Sequence, residues 1–175
     1  HLNLIKEIVP TVKKIGVPFN PGEANGAALL AALQEMAPEW KVEIVEAPAS
    51  KSADVQAAAQ SLVGKVDVIY VPTDNTVVSA LEAVIQVGIE NKIPVFSGDT
   101  DSVVRGAIAS VGFDYFQIGR QTGAVIVRVL KGEKPGDIAV KNATGTDLFV
   151  NTKSAAAMGV TVPAAVLSRA KKVIN

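Results

Sequence analysis

Cysteine is absent from the 175 residues, and histidine occurs once, at His1. Without thiols there is no thiol catalysis, no Cys-based zinc site and no disulfide. A single histidine argues against His-dependent triads and His-rich metal sites. Charge of one sign is also lacking, since 17 basic residues balance 17 acidic ones and no strongly basic block occurs. Nucleic-acid affinity depends on clustered Lys and Arg, so no nucleic-acid partner is expected. No apolar run approaches the roughly 18–20 residues that span a bilayer. No GxGxxG follows the first strand candidate and no GxxxxGK[ST] occurs, which removes the usual nucleotide motifs and leaves no cofactor implied. The sequence opens on His1 without a secretory signal segment, as expected of a mature product or a fragment.

What remains is 49% apolar and 19% charged, the composition of a globular domain, or of one and a fraction. Its organising stretch is Val66–Thr76, VDVIYVPTDNT. The β-branched run Val66–Val71 has no polar face, the signature of a parallel strand covered by helices on both sides. It stops at Pro72, and the polar tetrad Thr73-Asp74-Asn75-Thr76 opens a helix-patterned stretch, Val77–Asn91, whose face is Val77, Leu81, Val84, Ile85 and Gly88.

Before it, Leu2–Val9 is amphipathic and helical, and Lys13–Asn20 is a strand. Ala24–Ala37 is a helix with the stripe Leu29, Leu33 and Met36, ended by Pro38. Lys41–Ala47 alternates like an edge strand. Ser52 is placed to cap a helix over Ala53–Val63. After it come short strands at Ile93–Ser97 and Ala107–Val111, then a helix over Tyr115–Lys131, where Asp114 and Gln117 resemble a capping box. Five strand-then-helix repeats imply a flavodoxin-like parallel α/β sheet flanked by helices, in the order 2-1-3-4-5. The tail breaks the pattern: a Pro/Gly linker at Glu133–Asp137, strand-like pieces at Ile138–Val140 and Leu148–Val150, and a short helix capped by Asn151 or Thr152 that ends at Gly159. Pro163–Ile174 reads as a terminal helix. Such a chain returns to a sheet it had left.

In parallel α/β sheets ligands bind beyond the carboxyl ends of the strands. Four loops there carry the most side-chain chemistry: Asn20–Asn25, Thr73–Thr76, Gly98–Asp101 and Gly112–Asp114. Helix N-termini in these loops suit a carboxylate or phosphate, and Asp74, Asp99 and Asp101 suit an ammonium or sugar hydroxyls. A zwitterion such as an amino acid would use both. The competing assignment makes Asp74, Asp99 and Asp114 ordinary N-caps. Asp99-Thr100-Asp101 without supporting ligands is a weak magnesium motif, and a receiver domain is disfavoured by Asn20 and Phe113 where an acidic pair and a lysine would stand. Gly22–Gly26 is turn chemistry. Tyr70 and Trp40 read as packing residues, and Gly119–Gly123 as small residues permitting close helix packing.

The segments PFNPGEANG, SLVGKVDVIYVPTDNTVVSALEAV, IPVFSGDTDSVVRGAIASVGFDYFQIGRQTGAVIVRVLKGEKPGDI and LFVNTKSAAAMGV together resemble the ABC-transporter substrate-binding proteins of the tryptophan/tyrosine-transport type, within the type I periplasmic-binding-protein superfamily. The resemblance implies two flavodoxin-like lobes, a small ligand (an amino acid, aromatic in several members) clasped between them, an ABC permease as partner, and no enzymatic activity. It implies a periplasmic or extracellular location, with a lipid anchor in some precursors. Carried over by motif, the ligand residues are Asn20, Glu23, Asn25, Thr73, Asp74, Asn75, Asp99, Thr100 and Asp101, with Phe113 and Asp114 near a hinge.

Only the portion after the family's first interlobe crossover is matched. Residues 1–106 would then form the second lobe, 107–136 a strand-helix segment of first-lobe type, and 137–175 the return to the second lobe. Segment 107–136 is expected to meet the first lobe, to complete the sheet, or to swap with a second copy. The rival function is an effector-sensing regulatory domain of the same fold; a flavodoxin-like enzyme is disfavoured by the missing His, Cys and nucleotide motifs.

Overall fold

The computed structural model describes residues 1–142 and 144–175. Its organising unit is a four-stranded parallel sheet of β1 (Lys14–Phe19), β2 (Glu43–Pro48), β3 (Val68–Val71) and β4 (Val95–Ser97), in the order β2-β1-β3-β4. All four residues of β3 are buried, as expected of an interior strand covered on both faces. β2 is the margin, paired with β1 alone, and only Ala47 of its six residues is buried.

The helices interleaved with these strands or next to them in the chain are α1 (Leu2–Ile8), α2 (Ala24–Trp40), α3 (Val55–Ser61), α4 (Asn75–Ser79), α5 (Leu81–Asn91) and α6 (Thr100–Val104). Val77, Leu81, Val84, Ile85 and Gly88 are all buried, but the helix expected over this stretch breaks at Ala80 into α4 and α5. α2 differs from expectation twice. Its buried face is Gly26, Leu30, Leu33 and Ala37, rotated from the expected stripe, so Met36 is exposed. Pro38 does not end it. In the last turn a proline deletes only one helical hydrogen bond, and the helix closes three residues later, where Lys41 adopts a left-handed conformation (φ 53°) and Val42 N–H donates to Ala37 O. Ser52 does not cap α3 through its side chain; a short 3-10 turn precedes the helix, and the Ser52 hydroxyl bonds Ser79 instead.

A second sheet joins β5 (Ala109–Gly112), β6 (Asp147–Asn151) and β7 (Lys172–Ile174), with β5 antiparallel and β7 parallel to β6. Ile108 N–H donates to Val95 O, so the chain touches the β4 edge before diverging. The fifth strand of the expected order therefore belongs to the other sheet. Between β5 and β6 runs α7 (Tyr115–Leu130), none of whose residues is buried. Gly119 and Gly123 face open space here and pack on nothing among the described residues.

Two expectations for the tail are corrected. Ile138–Val140 forms no strand, and Val140 is 99% exposed, with no ladder to pair its backbone. Pro163–Ile174 is not one helix but α9 (Ala164–Leu167), a turn, and β7, because the β6 edge offers ladder partners to Lys172, Val173 and Ile174. Ahead of it, α8 (Thr152–Ala157) is capped by Asn151, whose Oδ1 accepts from Ser154 N–H. Ala143, within the expected return segment, lies outside the described residues.

Candidate functional site

The carboxyl ends of β3 and β4 open into a crevice of about 370 Å³ lined by Thr73, Asp74, Asn75, Val78, Asp99, Asp101, Arg105 and Tyr115. Five of these belong to the residues expected from sequence. Val78 and Arg105 do not, though each lies one helical turn after an expected residue, Asp74 and Asp101, and Tyr115 is brought to the same opening by a different loop.

The loop after β1 supports the site without lining it. Glu23 reaches across 52 positions to the start of α4. There its carboxylate accepts from Asn75 N–H (2.9 Å), Asn75 Nδ2 (2.8 Å), Thr76 N–H (2.8 Å) and Thr76 Oγ1 (2.6 Å). The Thr76 hydroxyl first, then the Asn75 N–H, hold its carboxyl well below the usual range, at about 2. Asn25 Nδ2 donates to Thr73 O and Asn20 Nδ2 to Thr76 Oγ1. These three side chains hold the neighbouring loop in place.

Asp74 is fully buried in the crevice floor. Its Oδ1 accepts from Val77 N–H at 3.0 Å, and its Oδ2 from Asn20 N–H at 2.7 Å. A Cβ on Gly26 would stand 2.5 Å from Asp74 Oδ2, so the close approach of α2 requires glycine there. With Glu23 on Asn75 and Thr76, and Asp74 on Val77, the first N–H groups of α4 are occupied by protein. The expectation that this helix end offers free donors to a ligand anion is thereby corrected. The sequence brings its own carboxylates to satisfy them.

Asp99, 5% exposed, caps α6. Its Oδ1 accepts from Ser102 N–H and its Oδ2 from the Ser102 hydroxyl, at 2.8 and 2.6 Å. Asp114 caps α7, its Oδ1 accepting from Phe116 and Gln117 N–H groups; the return bond of a full capping box is not made among the described residues. The cap assignment thus describes Asp74, Asp99 and Asp114 alike. Thr100 is buried, with its hydroxyl donating to Phe113 O, which ties the crevice to the turn between β5 and α7. Phe113 and Asp114 lie at that turn and do not line the opening.

Asp101 differs from the other acids. It is exposed, and its carboxylate accepts no hydrogen bond and enters no ion pair among the described residues. Arg105 donates from Nε and Nη2 to the two oxygens of Glu82, both at 2.8 Å, and this fork raises its pKa. Tyr115, about half exposed, has its phenol pushed up first by burial and then by Asp99 and Asp101, which keeps the hydroxyl protonated.

Beneath the opening, His1 bridges the two sheets. Its Nε2 lies on Val111 O, which only accepts, so Nε2 donates there; in the neutral ring Nδ1 then accepts from the Tyr70 hydroxyl. Burial, then the charge of Asp99, drives the Tyr70 phenol far up. Tyr70 is a core residue, as expected. Two buried polar atoms, Trp40 Nε1 and Ser110 Oγ, lack a partner among the described residues, and neither residue lines the crevice. The described residues contain no group of three or more metal-ligating side chains, and no described helix is long and apolar enough to cross a membrane.

The family model described as ABC transporter substrate binding protein matches residues 1–174. A protein of Clostridioides difficile named tyrosine-binding protein is 41% identical over 150 residues, 86% of this chain and 44% of that protein. A crystal structure of a conserved domain protein from Vibrio cholerae superposes with a TM-score of 0.94 at 50% identity, covering 99% of this chain and 58% of that one. An ABC domain from Streptococcus pneumoniae in complex with L-Trp superposes with a TM-score of 0.92 at 32% identity, covering 99% of this chain and 59% of that one. The chain thus spans about half the length of the relatives it matches.

Proposed function

We propose, for a chain that belongs to the ABC transporter substrate-binding protein family, that it forms about half of an extracytoplasmic solute receptor holding an amino acid, an aromatic one foremost. The observation carrying this reading is the crevice at the β3 and β4 ends. There Asp101 and Arg105 present opposite charges beside the apolar Val78 and the Tyr115 ring. A zwitterion with an aromatic side chain presents the complementary set. The tyrosine and L-Trp in the names of two relatives point the same way. The role is binding and delivery to a membrane permease, not catalysis.

In this reading residues 1–106 and 137–175 form one lobe. The strand of segment 107–136 pairs with β6 of this chain, while its helix α7 lies against a lobe outside this sequence, which closes over the crevice by a hinge motion. The exposed apolar residues of α7, Val125, Ile126, Val129 and Leu130 among them, support that assignment, because an apolar helix face is ordinarily covered. A swap with a second copy would cover the same face.

The test is a thermal-shift and calorimetric screen of the full-length protein against amino acids, sugars and nucleobases. An aromatic amino acid should raise the melting temperature and bind stoichiometrically. A response to sugars or nucleobases with none to amino acids would overturn the reading.

A further inference from the structure

We propose that Arg105 and Asp101 are the pair that recognises the ligand's α-carboxylate and α-ammonium, and that Glu82 is the positioning residue that keeps the two apart. This rests on the amino-acid reading above and assigns its polar contacts to particular side chains.

Asp101 and Arg105 are four positions apart, on α6 and its C-terminal cap, so their Cβ atoms are about 5–6 Å apart on one helix face. Asp and Arg at this spacing ordinarily pair with each other. Here they do not. Arg105 turns instead to Glu82 on α5, in a two-pronged contact with both distances 2.8 Å. That contact uses Nε and Nη2 and leaves Nη1 without a protein partner among the described residues. Asp101 is left with an uncommitted carboxylate. Glu82 therefore prevents the crevice from neutralising itself.

The α4 donors and the buried acids of the crevice are already occupied. For a carboxylate, the α4 N–H groups are taken by Glu23 and Asp74, and Arg105 is the one cation among the crevice residues. For an ammonium, Asp74 and Asp99 are buried and each oxygen already accepts a bond, whereas Asp101 is exposed and accepts none. Tyr115 lines the same crevice as Asp101 and Arg105. An L-amino acid fits with its charged end between Arg105 and Asp101 and its side chain toward Tyr115 and Val78.

The experiment is calorimetry on the full-length protein with L-tryptophan, with tryptamine, which lacks the carboxylate, and with indolepropionate, which lacks the ammonium. The analogues are measured directly or by competition against tryptophan. Asp101→Asn should weaken L-tryptophan about tenfold or more and leave the wild-type ranking of indolepropionate unchanged. Arg105→Gln should weaken L-tryptophan similarly and spare tryptamine. Glu82→Gln should weaken L-tryptophan in the wild-type background, because Arg105 is then free to fold onto Asp101. In the Asp101→Asn background it should add little, since the acid that remains, Asp99, is buried with both oxygens held by Ser102. All three side chains are substantially exposed, so unchanged melting curves will show that the variants are folded. Unchanged tryptophan affinity in Asp101→Asn and Arg105→Gln overturns the pair. Equal losses for all three ligands, or a Glu82→Gln effect that simply adds to Asp101→Asn, overturns the assigned roles. A wild-type protein that binds no amino acid but does bind a sugar overturns the parent reading, and is distinguishable by that ligand.

Discussion

Helix α2 runs 17 residues and α7 runs 16, and both carry an apolar stripe, yet α2 buries Gly26, Leu30, Leu33 and Ala37 while α7 buries nothing. The difference lies in what each is next to. α2 crosses between β1 and β2, adjacent strands of one parallel sheet, and a right-handed crossover lays such a helix back on its own sheet. α7 follows β5, which has left that sheet for an antiparallel pairing with β6, so no covered face awaits it. Amphipathicity states that a helix wants a partner; topology decides whether the partner is at hand.

The largest effect that sharpens this comparison lies in the parallel sheet. Ile69→Ala in β3, at a fully buried position, should cost about 2–5 kcal/mol in a denaturant melt. Ile126→Ser on α7 should change the stability of residues 1–175 by no more than about 0.5 kcal/mol, and should cost clearly more in the full-length protein. Equal costs in the short chain would mean that α7 is covered there too, for instance by a second copy, and light scattering would identify that state.

Next comes the close contact under the crevice. Gly26→Ala pushes a methyl into Asp74 Oδ2 and should destabilise by about 1–3 kcal/mol. Asp74→Ala removes the α4 cap at about 1–2 kcal/mol. Combined, they should cost less than the sum, because the clash needs the carboxylate.

Glu23 gives a pH signature. Its folded pKa lies near 2, below an ordinary value of 4.5. Its contribution is therefore complete above about pH 4.5 and is lost as the pH falls through about 2. Melting temperatures across that window should fall less steeply in Glu23→Gln than in the wild type; parallel curves would remove the latch. Smallest is the fork on the crevice rim. Arg105→Gln should alter stability by at most about 1 kcal/mol, since Glu82 is largely exposed and exposed pairs contribute little.

Much of the molecule was legible residue by residue. The β-branched run ending in Pro72 announced β3, and the polar tetrad after it marked the loop at the sheet's carboxyl edge. The order of the first four strands followed from alternating strand and helix patterns. The alternation read at Lys41–Ala47 placed an edge strand there, and β2 (Glu43–Pro48) is on the margin. The tail was less legible. Lys172–Ile174 reads as the end of a helix, yet it is a strand because β6 presents an open edge; Ile138–Val140 reads as a strand and found no such edge.

The loops that form the crevice could be named from their places after strands, because that rule depends only on local pattern. The use each makes of its side chains could not. Glu23 and Thr76 are far apart in the chain, and nothing near either one announces their contact. Likewise, Asp101 and Arg105 stand at a spacing that would predict a pair on an isolated helix, and only the packing of α5 beside α6 brings in Glu82 to separate them. Sequence by itself determined the sheet, its flanking helices and the edge where a ligand would sit, since hydrophobic period and turn chemistry are local. Tertiary structure alone decided which carboxylates are spent on capping and which remains available, since hydrogen-bond donors are finite and their allocation depends on which distant loops the fold brings to each helix end.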